Sequence, residues 1–304
     1  MNSDILLMDL GGTGSRSLYR AVDGTIRKSE GHGANPYRLG ATEAERVLSG
    51  HLSDLGLTNQ CIGRVLIGMA GVSSPLSRTV VDNAFSTAGI TGDICLLSDA
   101  ELTHMAGFGV KQSVSLETVE ILVIAGTGSI AVSISPVDGS LVRAGGLGHD
   151  NGDEGSGNWI GGRLKEYAQV DTQFANSQAL KRCVEKAGFK SVFDVPVVQH
   201  AVLAAALDEL SLTFPAAQEL AVQAGKELSK IVSSVYAQQV ERYKQCGFGN
   251  VSQGAVKCYG SVIKHCSTVR NAFRAALEAH VIDAGDVIDV LPQLLESLLQ
   301  VRID

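Results

Sequence analysis

Six cysteines (Cys61, Cys95, Cys183, Cys246, Cys258 and Cys266) contain no C-x-x-C pair, so neither a zinc site nor a redox dithiol is signalled. Aromatic residues are scarce, at 5% of 304 positions, and lysine and arginine accumulate nowhere. With a net charge of −7, this argues against a nucleic-acid-binding surface. No apolar run approaches the roughly 20 residues that span a bilayer. Asp4 and Asp9 arrive early, with no charged-then-apolar leader of secretory type before them. The expectation is a cytoplasmic globular protein, with no membrane and no nucleic-acid partner. What the chain has in quantity is glycine, at 34 residues, which suits many tight strand-to-helix turns. Its length accommodates two domains of ordinary size.

The stretch from Val119 to Tyr167 organises the rest. An apolar strand signal, Glu120-Ile121-Leu122-Val123-Ile124, breaks into Ala125-Gly126-Thr127-Gly128-Ser129. Glycines let backbone N–H groups converge on a phosphate, and the hydroxyls add donors. A second glycine run, Gly145 to Gly157, carries Asp150, Asp153 and Glu154 and leads into a helix near Ser156. Acid beside a phosphate cradle suggests a metal or sugar hydroxyls.

The same architecture occurs earlier. Ile5-Leu6-Leu7-Met8 stops at Asp9, and Gly11-Gly12-Thr13-Gly14-Ser15 follows. A strand over 17–22, a turn at Asp23-Gly24 and a return through Thr25-Ile26-Arg27 complete a hairpin. In the later copy the strand over 130–135, the Asp138-Gly139 turn and Leu141-Val142-Arg143 do the same. This is no dinucleotide fingerprint, since a strand and not a helix follows the loop, and no Gly-Lys-Ser/Thr is present. Alone, Asp9 to Thr13 reads equally as a plain hairpin turn; the repetition is what makes it specific.

Two further apolar strands end in polar or glycine loops, one at Gly71 and one at Ser98-Asp99. In an open α/β sheet sites form at the carboxyl ends of strands, so Asp9, Gly71 and Asp99 could share one. A helix with a Thr42–Glu45 capping box is expected after the Asn35-Pro36-Tyr37 loop, and another after Pro75. Helical periods follow near 158–169, 173–187, 196–210 and 215–245, then a strand near 255–260 and a helix from Ser261 through Leu277.

With these residues assembled, the chain resembles the N-acetylglucosamine kinases and the wider BadF/BadG/BcrA/BcrD-type ATPases of the actin, Hsp70 and sugar kinase superfamily. The resemblance covers roughly residues 4–265 and is most specific in Gly126-Thr127-Gly128-Ser129 followed by Gly145-Gly146 and Gly152-Asp153-Glu154-Gly155-Ser156-Gly157-x-Trp159-Ile160-Gly161. It implies an α/β fold of two ribonuclease H-like (actin-like ATPase) domains, 1–113 and 114–304, with a nucleotide cleft between them and helical additions on the second. It implies ATP and Mg2+ as cofactors, with Asp9 near the metal through water. Gly11, Gly12, Thr13, Gly126, Thr127, Gly128 and Ser129 would contact phosphates, and Gly260 and Ser261 would lie beside the nucleoside. Asn35, Gly71, Asp99, Gly146 and Asp153 would line the sugar pocket. The implied reaction is phosphorylation of an amino sugar, foremost N-acetyl-D-glucosamine or glucosamine, at the 6-hydroxyl, with a homodimer as one assembly open to it.

Phosphoryl transfer needs positioning, charge stabilisation and a carboxylate that accepts the hydroxyl proton; Asp99 is the candidate base. Each assignment has a plainer counterpart: a helix N-cap for Asp99 and for Asp153, a turn residue for Asn35, an ordinary helix start for Gly260-Ser261. A hinge is expected near Lys111 to Glu117. The chain departs from the family at Leu147, where tryptophan is usual, at His149 and Asp150, and over Asp286 to Pro292. A second class of function keeps the ATPase alone, as activator of a 2-hydroxyacyl-CoA dehydratase-type system. That reading wants cysteines for an iron–sulfur cluster in a glycine-rich loop, and none lies between Cys95 and Cys183. A sugar-sensing regulator lacks a helix-turn-helix before Ile5 and a cysteine-rich zinc motif.

Overall fold

The computed structural model describes residues 3–109, 117–148, 152–248, 251–283, 285 and 288–300. Its contacts divide the chain into two units, residues 1–112 with 289–304, and residues 113–288. The break near residue 113 and the allocation of the last residues to the first unit are set by packing, not by chain order.

In the first unit, β1 (Ile5–Leu10) is buried at every position, as a continuous apolar run requires when both faces of a sheet are covered. β2 (Gly14–Arg20) and β3 (Ile26–His32) follow antiparallel, around a turn in which Asp23 accepts from the Thr25 amide. β3 continues past the expected Arg27 to His32, because its register with β2 persists as far as Gly14. Asn35-Pro36-Tyr37 opens a one-turn helix, α1 (Pro36–Leu39), and is not a plain loop: Asn35 Oδ1 accepts the Tyr37 amide at 2.9 Å and proline pre-sets the backbone. α2 (Ala41–Asp54) starts without the expected capping box; Gly40 stands at its N-cap and makes no side-chain bond.

β4 (Cys61–Met69) pairs parallel with β1, and β5 (Thr91–Leu97) parallel with β4, with α3 (Pro75–Thr87) between β4 and β5 and α4 (Asp99–Phe108) after β5. The sheet order is β3-β2-β1-β4-β5. Leu48, Leu52, Val80, Val81 and Phe85 from α2 and α3 meet Leu6, Met8, Leu10, Val65 and Ile67 on one face, while α4 lies against β1 and β4.

The second unit repeats this plan. β6 (Thr118–Ala125), β7 (Ser129–Ile134) and β8 (Leu141–Gly145) form the meander; β9 (Gln253–Tyr259) and β10 (Val281–Asp283) add parallel, in the order β10-β9-β6-β7-β8. α5 (Gly157–Val170) follows β8. The helix expected over 173–187 divides into α6 (Thr172–Ala175) and α7 (Gln178–Lys186). The one expected over 196–210 is a 3₁₀ segment, Val197–Ala206, running into α8 (Leu207–Ser211). α9 (Pro215–Gln245) has the expected bounds, and its Ala217, Leu220, Ala221, Ala224, Leu228, Val232 and Val235 lie in the core.

The helix expected from Ser261 through Leu277 breaks at Cys266 into α10 (Ser261–His265) and α11 (Ser267–Ala276). Asp208 causes the break to be stable. Its carboxylate accepts from the Ser267 amide (2.7 Å), the Ser267 hydroxyl (2.8 Å), the Thr268 amide (3.0 Å) and the Cys266 thiol (2.9 Å), capping α11 from another element. Burial pushes the Asp208 carboxyl up, but the bonds from Cys266, Thr268 and Ser267 outweigh it and hold it at about 2. A folded-state value below the unfolded one adds stability above about pH 4 that is lost as pH falls toward about 2. Asp208→Ala is expected to lower urea stability at neutral pH by about 1–2 kcal/mol, with the gap to the parent closing on acidification.

After β10 the chain returns to the first unit as α12 (Val290–Gln300), whose Leu291, Leu294, Leu295 and Leu298 are buried and which packs on α4, β1 and β2. Residues 111–116 of the expected hinge, His149 and Asp150, and residues 284, 286 and 287 lie outside the described residues. Among the described residues, no single helix is long and apolar enough to cross a membrane.

Candidate functional site

Parallel pairing aligns the strand ends of the first unit. Asp9 is level with Gly68 and Gly68 with Leu97, so the loops after β1, β4 and β5 leave one edge of the sheet. Asp9, only 6% exposed, is paired with Arg16 Nη2 on β2 at 2.8 Å. Asp99 lies close enough for the Asp9 charge to act on it. Burial first, and that charge second, push the Asp99 carboxyl up to about 6, against a lowering bond from the Ala100 amide. The N-cap of α4 is Ser98, not Asp99: Ser98 Oγ accepts the Glu101 amide at 3.1 Å and Glu101 accepts the Ser98 amide at 2.8 Å. The helix start therefore does not require Asp99, whose Oδ1 accepts the Ala100 amide at 3.0 Å.

The first glycine loop is tied to the sugar-side candidates. The Ala34 amide donates to the Gly11 carbonyl at 3.1 Å, so Asn35 follows directly on a residue bonded to that loop. A Cβ on Gly71 (φ 77°) would stand 2.5 Å from Asn35 Oδ1, so Gly71 and Asn35 touch and only glycine fits there. Asp9, Gly11, Gly12, Thr13, Asn35, Gly71 and Asp99 thus gather at one edge of the first unit. Asn35 is also the N-cap of α1, so its plainer role holds as well.

In the second unit, Gly126, Thr127, Gly128 and Ser129 form the β6–β7 connection, closed by a Gly126 amide to Gly128 carbonyl bond of 3.0 Å. Ser156, and not Asp153, caps α5, accepting from the Trp159 amide at 3.2 Å. Gly157 and Asn158, opening that helix, donate their amides to the carbonyls of Gly126 (2.8 Å) and Thr127 (3.1 Å). Asp153 faces the loop, with the Ser129 amide 3.4 Å from its Oδ1, and Gly146 donates to the Ser129 carbonyl at 2.8 Å. Gly260 follows the end of β9, where a Cβ would lie 2.5 Å from the Ala125 carbonyl oxygen and φ is 108°. That brings Gly260 and Ser261 beside the same loop. Gly126 to Ser129, Gly146, Asp153, Gly260 and Ser261 therefore form a second cluster.

Sequence reasoning did not single out Arg16, Ser98 or Gly33. Gly33 is the least replaceable: a Cβ there would meet Gly12 O at 2.4 Å, Gly12 C at 2.5 Å and Thr13 N at 2.7 Å. The glycine pair Gly31 and Gly33 was the available signal. Among the described residues, no group of three or more His, Cys, Asp or Glu could cage a metal ion. A magnesium ion here would be held by phosphates and water rather than by a protein cage.

No family model matches the chain. The N-acetylmuramic acid/N-acetylglucosamine kinase of Clostridium acetobutylicum is 32% identical over 117 residues, 38% of this chain. The match spans 35% of that relative's length. Among solved structures, a candidate N-acetylglucosamine kinase from Chromobacterium violaceum superposes with a TM-score of 0.64 at 23% identity, over 98% of both chains. A ROK family glucokinase from Streptomyces griseus, in complex with glucose and AMPPNP, gives 0.53 at 16% identity, over 92% of this chain and 93% of that one. At these identities the structures establish a common fold.

Proposed function

From a chain that carries the sugar kinase form of the actin-like ATPase fold, we propose an ATP-dependent kinase of an amino sugar, foremost N-acetyl-D-glucosamine or glucosamine, acting at the 6-hydroxyl. The observation that carries the reading is the Asp9–Asp99 pair: two carboxylates at one sheet edge, one of them held near 6 by burial and by the other. A base poised just below neutral pH is ionised there and accepts a proton more readily than an ordinary carboxylate.

In this reading Asp99 takes the proton of the sugar hydroxyl as its oxygen bonds to the γ-phosphorus of ATP and the bond to the ADP oxygen breaks. Asn35, Gly71, Gly146 and Asp153 hold the sugar. The loops Gly11–Thr13 and Gly126–Ser129 present N–H and hydroxyl donors to phosphates, with Gly260 and Ser261 beside the nucleoside. Mg2+ would supply charge neutralisation on the phosphates. Asp9, fixed by Arg16, would orient its water. Burial pushes the Cys258 and Cys266 thiols up to about 12, so neither is a reactive thiolate.

Coupled ADP release tests this over glucosamine, N-acetylglucosamine, N-acetylmannosamine, N-acetylmuramic acid and glucose. Turnover with a free or N-acetylated hexosamine is expected; release no faster with any sugar than with water alone sinks the proposal. With the active sugar, kcat/KM should fall as pH drops through about 6, as Asp99 takes up its proton.

A further inference from the structure

Behind the first glycine loop lies a chain of polar side chains that the proposed chemistry does not use. The Ser15 hydroxyl donates to the His32 carbonyl at 2.5 Å and lies 2.7 Å from Nε2 of His51. Nδ1 of His51 is 2.9 Å from Ser29 Oγ, and that hydroxyl donates to Asp54 Oδ2 at 2.9 Å. Ser15, Ser29 and His51 are 3%, 7% and 2% exposed, so water does not substitute for a lost partner.

The four contacts need four hydrogens. Two hydroxyls supply two, and a neutral imidazole supplies one. With Asp54 an exposed carboxylate, the complete network exists only when both ring nitrogens of His51 carry hydrogen. We propose that His51 is a positioning residue for the Gly11–Gly14 loop, acting as an imidazolium that holds Ser15 through Nε2 and the Ser29–Asp54 pair through Nδ1. The functional part of this inference rests on reading the loop as a phosphate cradle. Ser15 is the second residue of β2, next to Gly14 of the loop, and His32 precedes Gly33, whose backbone abuts Gly12 and Thr13. Slack between Ser15 and His32 therefore reaches the loop within one residue.

Burial pushes the imidazole below its usual value, and Asp54 partly offsets this. Arg27, on the Ser29 face of β3, is stacked over Tyr19; β2 brings the neutral Ser15 and Ser17. The folded network is complete at acid pH. As pH rises past the imidazole's titration, three hydrogens remain for four contacts and one must open.

The test is NMR of the full-length, nucleotide-free protein between pH 5 and 8, following the His51 ring nitrogens and the Gly12 and Thr13 amides. Two protonated ring nitrogens at the acid end are expected, with the loop amides shifting along the same titration. A single ring hydrogen throughout, or loop amides that ignore the His51 titration, overturns the proposal. In the enzyme assay at the acid end of the active range, where the network is most complete, His51→Gln should raise KM for ATP about tenfold with KM for sugar unchanged. A fall in maximal rate with both KM values intact and loop amides indifferent to the His51 titration would mean a merely structural residue and also overturns it. Asp54→Asn serves if His51→Gln does not fold, and should move the shared titration of ring and loop to lower pH. Loop amides that follow His51 while KM for ATP stays fixed would defeat the phosphate-cradle reading and leave the positioning role standing.

Discussion

Asp99→Asn is expected to lower kcat by about 1000-fold or more while making the protein more stable. The two effects have one cause. The carboxylate is held near 6 because burial and the Asp9 charge both disfavour its ionised form. The folded state therefore binds the proton more tightly than the unfolded chain does. Stability falls as pH rises from about 4 through about 6, and the penalty persists above that. Asparagine removes the charge at nearly constant shape, and Ser98 still caps the helix. Urea titrations at about pH 8 should show a gain of about 1–2 kcal/mol, shrinking toward pH 4. A residue that serves structure alone would lose stability and keep its rate, so a variant within tenfold of the parent rate excludes Asp99 as the base.

Gly33→Ala should be nearly as damaging by another route. Its Cβ would have to enter space held by the backbone of Gly12 and Thr13, at 2.4–2.7 Å, and backbone cannot swing aside as a side chain does. The loop must shift by a sizeable fraction of an ångström. Misplacement on this scale costs about 100-fold in kcat/KM for ATP, and overpacking costs about 1–3 kcal/mol of stability. Gly50→Ala, in α2 with open space around it, is the control; it should leave the ATP kinetics unchanged. Equal kinetics for the two variants would mean that the loop plays no part in nucleotide binding.

Much of this arrangement could be read from the letters. The duplicated strand, glycine loop, strand, Asp-Gly turn and strand are visible because period-two patterns and turn residues are local signals, and both sheets show the meander they imply. What escaped depends on contacts between distant positions. The break at Cys266 follows from Asp208 in α8, with α9, β9 and α10 lying between them in the chain. Thr42 and Glu45 have the spacing of a capping box, yet Gly40 takes the cap because α1 ends immediately before it. The cap expected at Asp99 falls one residue earlier, at Ser98, a shift that only the backbone reveals. Gly33 looks like any loop glycine until Gly12 is seen against it. The repeat also hides an asymmetry: where β1 carries Asp9 next to its last residue, β6 carries the apolar Ile124, so the acid belongs to one copy.

The placement of α12 has a consequence for biogenesis. The helix that bears Asp99 is flanked by α12, which is translated only after the whole of residues 113–288. On the ribosome the later-starting unit can finish first, while the earlier one waits with an apolar flank uncovered. A nascent chain arrested before Val290 would contain every motif residue named above and still lack the helix that packs against α4.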